Sequence, residues 1–158
     1  MVDSKKILGI DPGLGRTGWG VIEARGLDLT PIAFGCLTTP ANTPLGARLL
    51  ELEGDIVALL ERHQPDVVAI EQLLFTNNVT TGIAVGAARG VILLACERAH
   101  VPTVEFTPTQ VKLGVTGYGA ADKQQVIGMV CRILKLDRAP SPDDVADALA
   151  IAICGSGG

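Results

Sequence analysis

Lys6-Ile7-Leu8-Gly9-Ile10-Asp11-Pro12-Gly13 places an acid at the end of a short apolar strand, where the chain enters a glycine turn. A strand apolar at successive positions is buried on both faces, as in a sheet covered by helices on each side. A carboxylate closing such a strand suits the binding of something cationic or phosphorylated. Downstream, residues 16–24 (RTGWGVIEA) and 32–38 (IAFGCLT) read as two more strands, with turns around Gly26 and Pro31. The chain therefore opens with an antiparallel meander of three strands.

Thr43-Pro44 predicts an N-cap followed by proline at the first helical position. Leu45, Leu49, Leu52, Ile56 and Leu59 recur at helical spacing, and the helix ends before Pro65. Asp66-Val67-Val68-Ala69-Ile70-Glu71 is a second apolar strand ending in an acid. A strand–helix–strand crossover implies parallel pairing. Residues 79–99 form a long apolar helix with Gly82, Gly86 and Gly90 four apart, a spacing that lets another backbone approach closely and points to a subunit interface. A strand at 102–106, helical segments at 108–115 and 121–135, and a last helix over 142–154 complete the chain. The expected fold class is α/β, a five-stranded mixed sheet with helices on both faces, forming one domain over residues 1–158.

With 158 residues, 47% of them hydrophobic, the chain is long and apolar enough for a real core, which excludes disorder. No apolar run reads as a membrane span and no signal peptide opens the chain, so a cytoplasmic protein without a membrane partner is expected. Cys36, Cys96, Cys131 and Cys154 form no C-x-x-C pair and read as small buried hydrophobes, not zinc ligands. His63 and His100 each follow a helical stretch and read as dipole-favoured or solvated. The net charge of −4 weighs mildly against a nucleic-acid binder. The weight is small, because a carboxylate cluster holding divalent metal itself contributes about −4.

The turn after Asp11 admits three readings. Gly13, Gly15 and Gly18 spell G-x-G-x-x-G, but a dinucleotide fingerprint opens a helix, and here Thr17-Gly18-Trp19-Gly20-Val21-Ile22 continues as a strand. Asp11-x-Gly13-x-x-x-x-Gly18 also resembles the first phosphate hairpin of the actin and sugar-kinase ATPases. Those proteins need two such domains and a second Asp-Gly hairpin, which this sequence lacks. The third reading is a metal site. Asp11 and Glu71 end strands, and Asp144 and Asp147 stand three apart on one face of the terminal helix. Magnesium prefers hard oxygen donors from a few carboxylates, and two-metal phosphoryl chemistry needs several acids converging on one small volume. Dipole-favoured acids at a helix start account for Asp143 well and Asp144 acceptably, but Asp147 lies a turn deeper among alanines.

Gly9-Ile10-Asp11-Pro12-Gly13, Ile70-Glu71-Gln72, Gln110-Val111-Lys112, Ala121-Asp122-Lys123 and the run Asp144-Val145-Ala146-Asp147-Ala148-Leu149-Ala150-Ile151-Ala152, taken in order, resemble the RuvC family of Holliday-junction resolvases. The resemblance covers nearly the whole chain. It implies an RNase H-like fold, a homodimer, and paired symmetrical nicking of four-way DNA junctions with Mg²⁺, Mn²⁺ being able to substitute. It also implies partnership with the RuvA and RuvB branch-migration proteins. By resemblance, Asp11, Glu71, Asp144 and Asp147 are the metal-binding catalytic acids, holding two ions, and Lys112 and Lys123 serve near the DNA backbone.

The pattern departs from the family in two places. The family often carries a base-engaging aromatic three residues after the glutamate. Here that position is Leu74, and Phe75 follows, so the wedge role is expected of Phe75, with Asn77 and Asn78 in the same DNA-binding loop. Many relatives also carry a basic tail after the last helix, where this sequence has Gly155-Ser156-Gly157-Gly158. Some affinity or partner contact is expected to differ accordingly. Two alternatives stand beside the resolvase: an RNase H-like nuclease acting on RNA, and a junction-binding module without catalysis.

Overall fold

A computed structural model of the chain describes residues 2–73 and 79–157. Three strands open it, β1 (Ser4–Asp11), β2 (Arg16–Arg25) and β3 (Asp28–Thr38), followed by α1 (Leu45–His63), β4 (Val67–Glu71), α2 (Val79–Arg98), β5 (Thr103–Phe106), α3 (Pro108–Thr116), α4 (Lys123–Ile133) and α5 (Asp143–Ser156). The sheet order is β3-β2-β1-β4-β5. β1 pairs antiparallel with β2, and β2 with β3; β1 pairs parallel with β4, and β4 with β5. This is the mixed five-stranded sheet expected from the sequence.

Alternation along the central strands divides the core in two. Ile7, Ile22, Val67 and Ala69 pack under α3, α4 and α5, while Leu8, Ile10, Val21, Val68 and Ile70 pack under α1 and α2. Helices therefore cover both faces, which is why β1 is apolar from Ile7 to Ile10 and β4 from Val67 to Ile70.

The α5 helix lies unusually close to the sheet. A Cβ at Gly18 would fall 1.9 Å from the Asp144 carbonyl oxygen, and one at Gly9 would fall 2.1 Å from that of Ala148. Glycine is required at both places because a helix backbone occupies the space a side chain would take. Gly18, the last glycine of the misleading G-x-G-x-x-G pattern, thus seats a helix instead of cradling a phosphate.

Several local expectations are corrected. Pro31 belongs to β3, where it pairs with Ile22 beside a register shift at Val21/Ile22. A proline is tolerated there because β3 is an edge strand and its missing N–H breaks no inner ladder. The N-cap of α1 is Pro44, without a side-chain cap; the Thr43 hydroxyl instead donates to the Pro40 carbonyl at 2.8 Å. Proline at the cap leaves Thr43 one residue too early to reach the helix. The 121–135 segment begins its helix only at Lys123, since Asp122 is the N-cap and forms a capping box with Gln125. Thr107 and Gln110 cap α3 in the same way. His63 is not simply solvated: its ring packs 5.7 Å from that of Trp19, and burial, Arg62 and Lys6 lower its pKa. Of the cysteines, only Cys96 is fully buried; the other three are half-buried, and all four are free.

The α2 helix corrects a further expectation. It has 20 residues and a mean hydropathy of 1.8 over its most apolar window, enough by length and composition to cross a membrane. In the fold it covers the sheet beside α1, through Ala88, Ile92, Ala95 and Cys96. Of its glycines, Gly86 would place a Cβ 3.4 Å from the Leu73 side chain, whereas side chains at Gly82 and Gly90 would meet none of the described residues within 4 Å. Among the described residues, no backbone uses the close approach that the spacing permits.

The seating of α5 makes a direct prediction. Gly18→Ala should lower unfolding free energy by about 3 kcal/mol, the upper range for overpacking. Gly90→Ala, in open space on a helix, should be neutral or stabilising by up to about 1 kcal/mol. Urea denaturation of the two variants checks both; a Gly18→Ala variant as stable as the parent would contradict the seating.

Candidate active site

The parallel register of β1 and β4 pairs Ile10 with Ile70, so Asp11 and Glu71 end adjacent strands side by side. Both follow the alternation of Ile7 and Ala69 and face α5. The α5 N-terminus crosses β2 at Gly18, whose strand partner is Asp11. That brings Asp144 and Asp147 to the same sheet edge. All four acids are half-buried, while Asp143 is exposed.

Their charges interact. Burial, then Asp147, Glu71 and Asp144, push the Asp11 carboxyl up to about 8, with Lys123 opposing. Burial and Asp147 also raise Glu71, against Lys112. Burial raises Asp147, and Lys123 pulls it down. A site that holds a proton on Asp11 near neutrality is short of positive charge.

Two side chains supply part of it. Arg16 Nε lies 3.4 Å from Asp144 Oδ2, and Lys123 Nζ lies 3.4 Å from Asp147 Oδ2 and 3.5 Å from Asp143 Oδ2. Burial works against the Lys123 charge, but Asp147 and Asp143 outweigh it and raise its pKa. Lys123 opens α4 directly after its Asp122 cap, and half-buried Lys112 sits on α3. Both lysines line a cleft of about 250 Å³ with Glu71 and Asp147.

The chemistry of the donor set fits a divalent cation: hard carboxylate oxygens crowded together, with the Asp11 carboxyl pushed up for want of counter-charge. Among the described residues, no three acids, histidines or cysteines form a ready-made cage. The fit is therefore one of charge and donor type, with Arg16 and Lys123 holding two of the carboxylates.

The structure thus unites Asp11, Glu71, Asp144, Asp147, Lys112 and Lys123. Phe75, Asn77 and Asn78, with Leu74, lie outside the described residues. Sequence reasoning missed Arg16, whose position five residues after Asp11 carries no distinguishing signal. It also missed Arg89, which lines a second cleft with Asp11 and Glu71. A signal for Arg89 did exist: it is the only charged residue between Val79 and Glu97.

The raised Asp11 pKa has a signed consequence for the metal-free protein. A carboxyl whose folded pKa exceeds its unfolded value contributes stability that is fully present below about 4 and lost as pH rises toward about 8. Asp11→Asn should therefore stabilise the metal-free protein by on the order of a few kcal/mol at pH 8 and by little at pH 4. Chemical denaturation in EDTA at the two pH values measures this; equal effects at both would refute the buried-acid account.

A model of the family described as crossover junction endodeoxyribonuclease RuvC matches residues 7–155. The RuvC protein of Desulfitobacterium hafniense is 53% identical over 148 residues, covering 94% of this chain and 90% of that relative. That of Thermomicrobium roseum is 50% identical over 149 residues, with 94% and 91% covered. Thermus thermophilus RuvC, solved in complex with a Holliday junction substrate, superposes with a TM-score of 0.91 at 35% identity, over 95% of this chain and 92% of that one. The yeast mitochondrial resolvase Ydc2 shares the fold at a TM-score of 0.66 and 14% identity. The sheet order and the covered faces are those of an RNase H-like fold, and the chain belongs to the RuvC family of crossover junction endodeoxyribonucleases.

Proposed function

We propose that the protein resolves Holliday junctions by paired symmetrical nicks, through metal-dependent phosphodiester hydrolysis, in homologous recombination and DNA repair. The observation that carries this reading is the convergence of Asp11, Glu71, Asp144 and Asp147, from two strands and a helix, beside a cleft with two lysines. Asp11, Glu71, Asp144 and Asp147 hold divalent ions, Mg²⁺ by the hardness of the donors, with Mn²⁺ able to substitute. When bound there, such ions supply a nucleophilic water at neutral pH and stabilise the leaving oxygen.

The chain's own residues do the rest. Lys112 and Lys123 line the cleft where a phosphodiester meets the acids and hold it as point charges. Lys123 exchanges its Asp143 and Asp147 partners for phosphate, and Arg16 keeps Asp144 turned inward until then. Phe75 serves as the wedge between bases, supported by Asn77 and Asn78, on the strength of the family resemblance alone. The products carry 5′-phosphate and 3′-hydroxyl ends.

Paired nicks require two sites related by a twofold axis, which a homodimer provides. The α2 helix offers the contact: Ile83 is 66% exposed and Leu94 48% exposed, and they share a helix face with open Gly90. RuvA and RuvB complete the set of partners, and a chromosomal DNA substrate places the protein in the cytoplasm.

Cleavage of a synthetic four-way junction, against duplex DNA and an RNA–DNA hybrid, tests the activity. With Mg²⁺ the junction should be nicked at two symmetrical positions, EDTA should abolish cutting, and Asp147→Asn should slow it by roughly 100-fold or more. Preference for the hybrid, or cutting in EDTA, would overturn the assignment. For the dimer, Ile83→Asp with Leu94→Asp should shift the sedimenting species to a monomer and uncouple the two nicks; an unshifted dimer would remove α2 from the interface.

A further inference from the structure

The turn that follows Asp11 is held by three polar side chains, and one of them keeps most of its donors unused. Thr17 and Thr39 are buried. The Thr17 hydroxyl donates to the Gly13 carbonyl at 2.6 Å, and that of Thr39 donates to the Leu14 carbonyl. The Thr39 backbone N–H donates to the Gly15 carbonyl at 3.1 Å. Arg48, in the first turn of α1, is the third: its Nε donates to Thr39 Oγ1 at 3.1 Å. The turn is thereby pinned to the segment that leaves β3 and to α1.

That bond uses one of the five donors of a guanidinium. The terminal nitrogens of Arg48 meet no acceptor among the described residues. Arg48 and Arg89 are the two half-buried arginines there; Arg89 pairs with Glu105, and Arg48 with no carboxylate. A cation partly withdrawn from water without a counter-charge is unfavourable unless an anion arrives from outside. The free end of the fork lies beside exposed Gly15. An ideal Cβ at Gly15 would stand 3.7 Å from Nη2 and within 4 Å of no other described atom. Thr39 thus fixes the guanidinium by its Nε while the other edge faces open space. A planar fork held in this way suits a bidentate grip on phosphate.

We propose that Arg48, beside Gly15, seats a backbone phosphate of the cut strand on the side of the scissile bond away from the lysines. The proposal rests on the junction-cutting reading, which lays a DNA strand across the acids. Lys112 and Lys123 approach those acids from α3 and α4, which follow β5, whereas the Asp11 turn leads the other way, to β2 and β3. Arg16 lies along that path, against Asp144. A strand gripped by lysines before the acids and by Arg48 after them is fixed at two points. The phosphodiester between those points loses freedom before it reacts, which is a positioning advantage. Because the contact is to phosphate, it contributes affinity and register without sequence preference. The Thr39 anchor keeps the ordering cost low, since the fork is already oriented before DNA arrives.

The test uses the full chain and a four-way junction with a fixed crossover. Each phosphate within a few nucleotides of the cut is replaced in turn by a neutral methylphosphonate, and dissociation constants are measured with Ca²⁺ in place of Mg²⁺. Lys112→Gln marks the lysine side, as the phosphate whose replacement no longer matters in that variant. For the parent, neutralising one phosphate on the other side of the cut should weaken binding by about tenfold. Arg48→Gln should weaken the unmodified junction to a similar degree and lose the penalty at that phosphate alone. It should also reduce the slope of log K against log salt by about one. A variant that merely loosened the turn would weaken binding and keep every penalty, which would overturn the proposal. So would a penalty lost on the lysine side. Melting temperatures confirm the fold. If Arg48→Gln fails to fold, Arg48→Lys decides: a point charge in place of the fork should lower the penalty at that phosphate, and an unchanged penalty refutes the seat. A parent that binds with this pattern but cuts no junction in Mg²⁺ would support the seat and sink the junction-cutting reading, so the two fail separately.

Discussion

The contact of α5 with β1 and β2 is the constraint on which the site depends. Gly18 and Gly9 remove the side chains that would hold the helix away, and the helix backbone settles almost onto the strands. The same contact that closes one half of the core carries Asp144 and Asp147 to the ends of β1 and β4. Packing the core and gathering the acids are therefore one geometric requirement here. A methyl group under the helix would lift the acids away from Asp11 as surely as it would open the core.

Bringing four carboxylates together works against folding. Asp11 retains a proton up to about pH 8, and Arg16 and Lys123 neutralise part of the charge on α5. Such unrelieved repulsion is commonly found where function sets the geometry and the rest of the fold supports it. The support is visible in two apolar layers, one on each face of the sheet, with every central strand residue from Val67 to Ile70 buried. Lys123, which eases the repulsion, is also one of the two lysines proposed to hold a phosphate.

Much of the architecture was legible in the sequence because its signals are local. Apolar runs ending in Asp11 and Glu71, and the leucine spacing of α1, each reflect burial that repeats at the period of its element. The failures were also physical. Pro31 read as a turn because a proline's lost N–H matters only in an inner strand, and only pairing reveals an edge. Thr43 read as a cap because the cap chemistry was right and the position one residue off. The 79–98 helix was undervalued as an apolar span, since its glycines and alanines mark it as a packing element while its mean hydropathy remains high.

The sequence by itself determined the order of elements, the strand ends that carry Asp11 and Glu71, the i, i+3 placement of Asp144 and Asp147, and, through ordered motifs, the family. Each depends on residues near one another along the chain. Only the tertiary structure decided that Gly18 seats a helix, that Arg16 and Lys123 pair with the acids of α5, and that Arg89 lines a cleft beside Glu71 with its Nε unpaired. Those facts join residues far apart in the chain, across strand pairing and helix packing. No local periodicity encodes which distant backbone will occupy the space a missing side chain leaves.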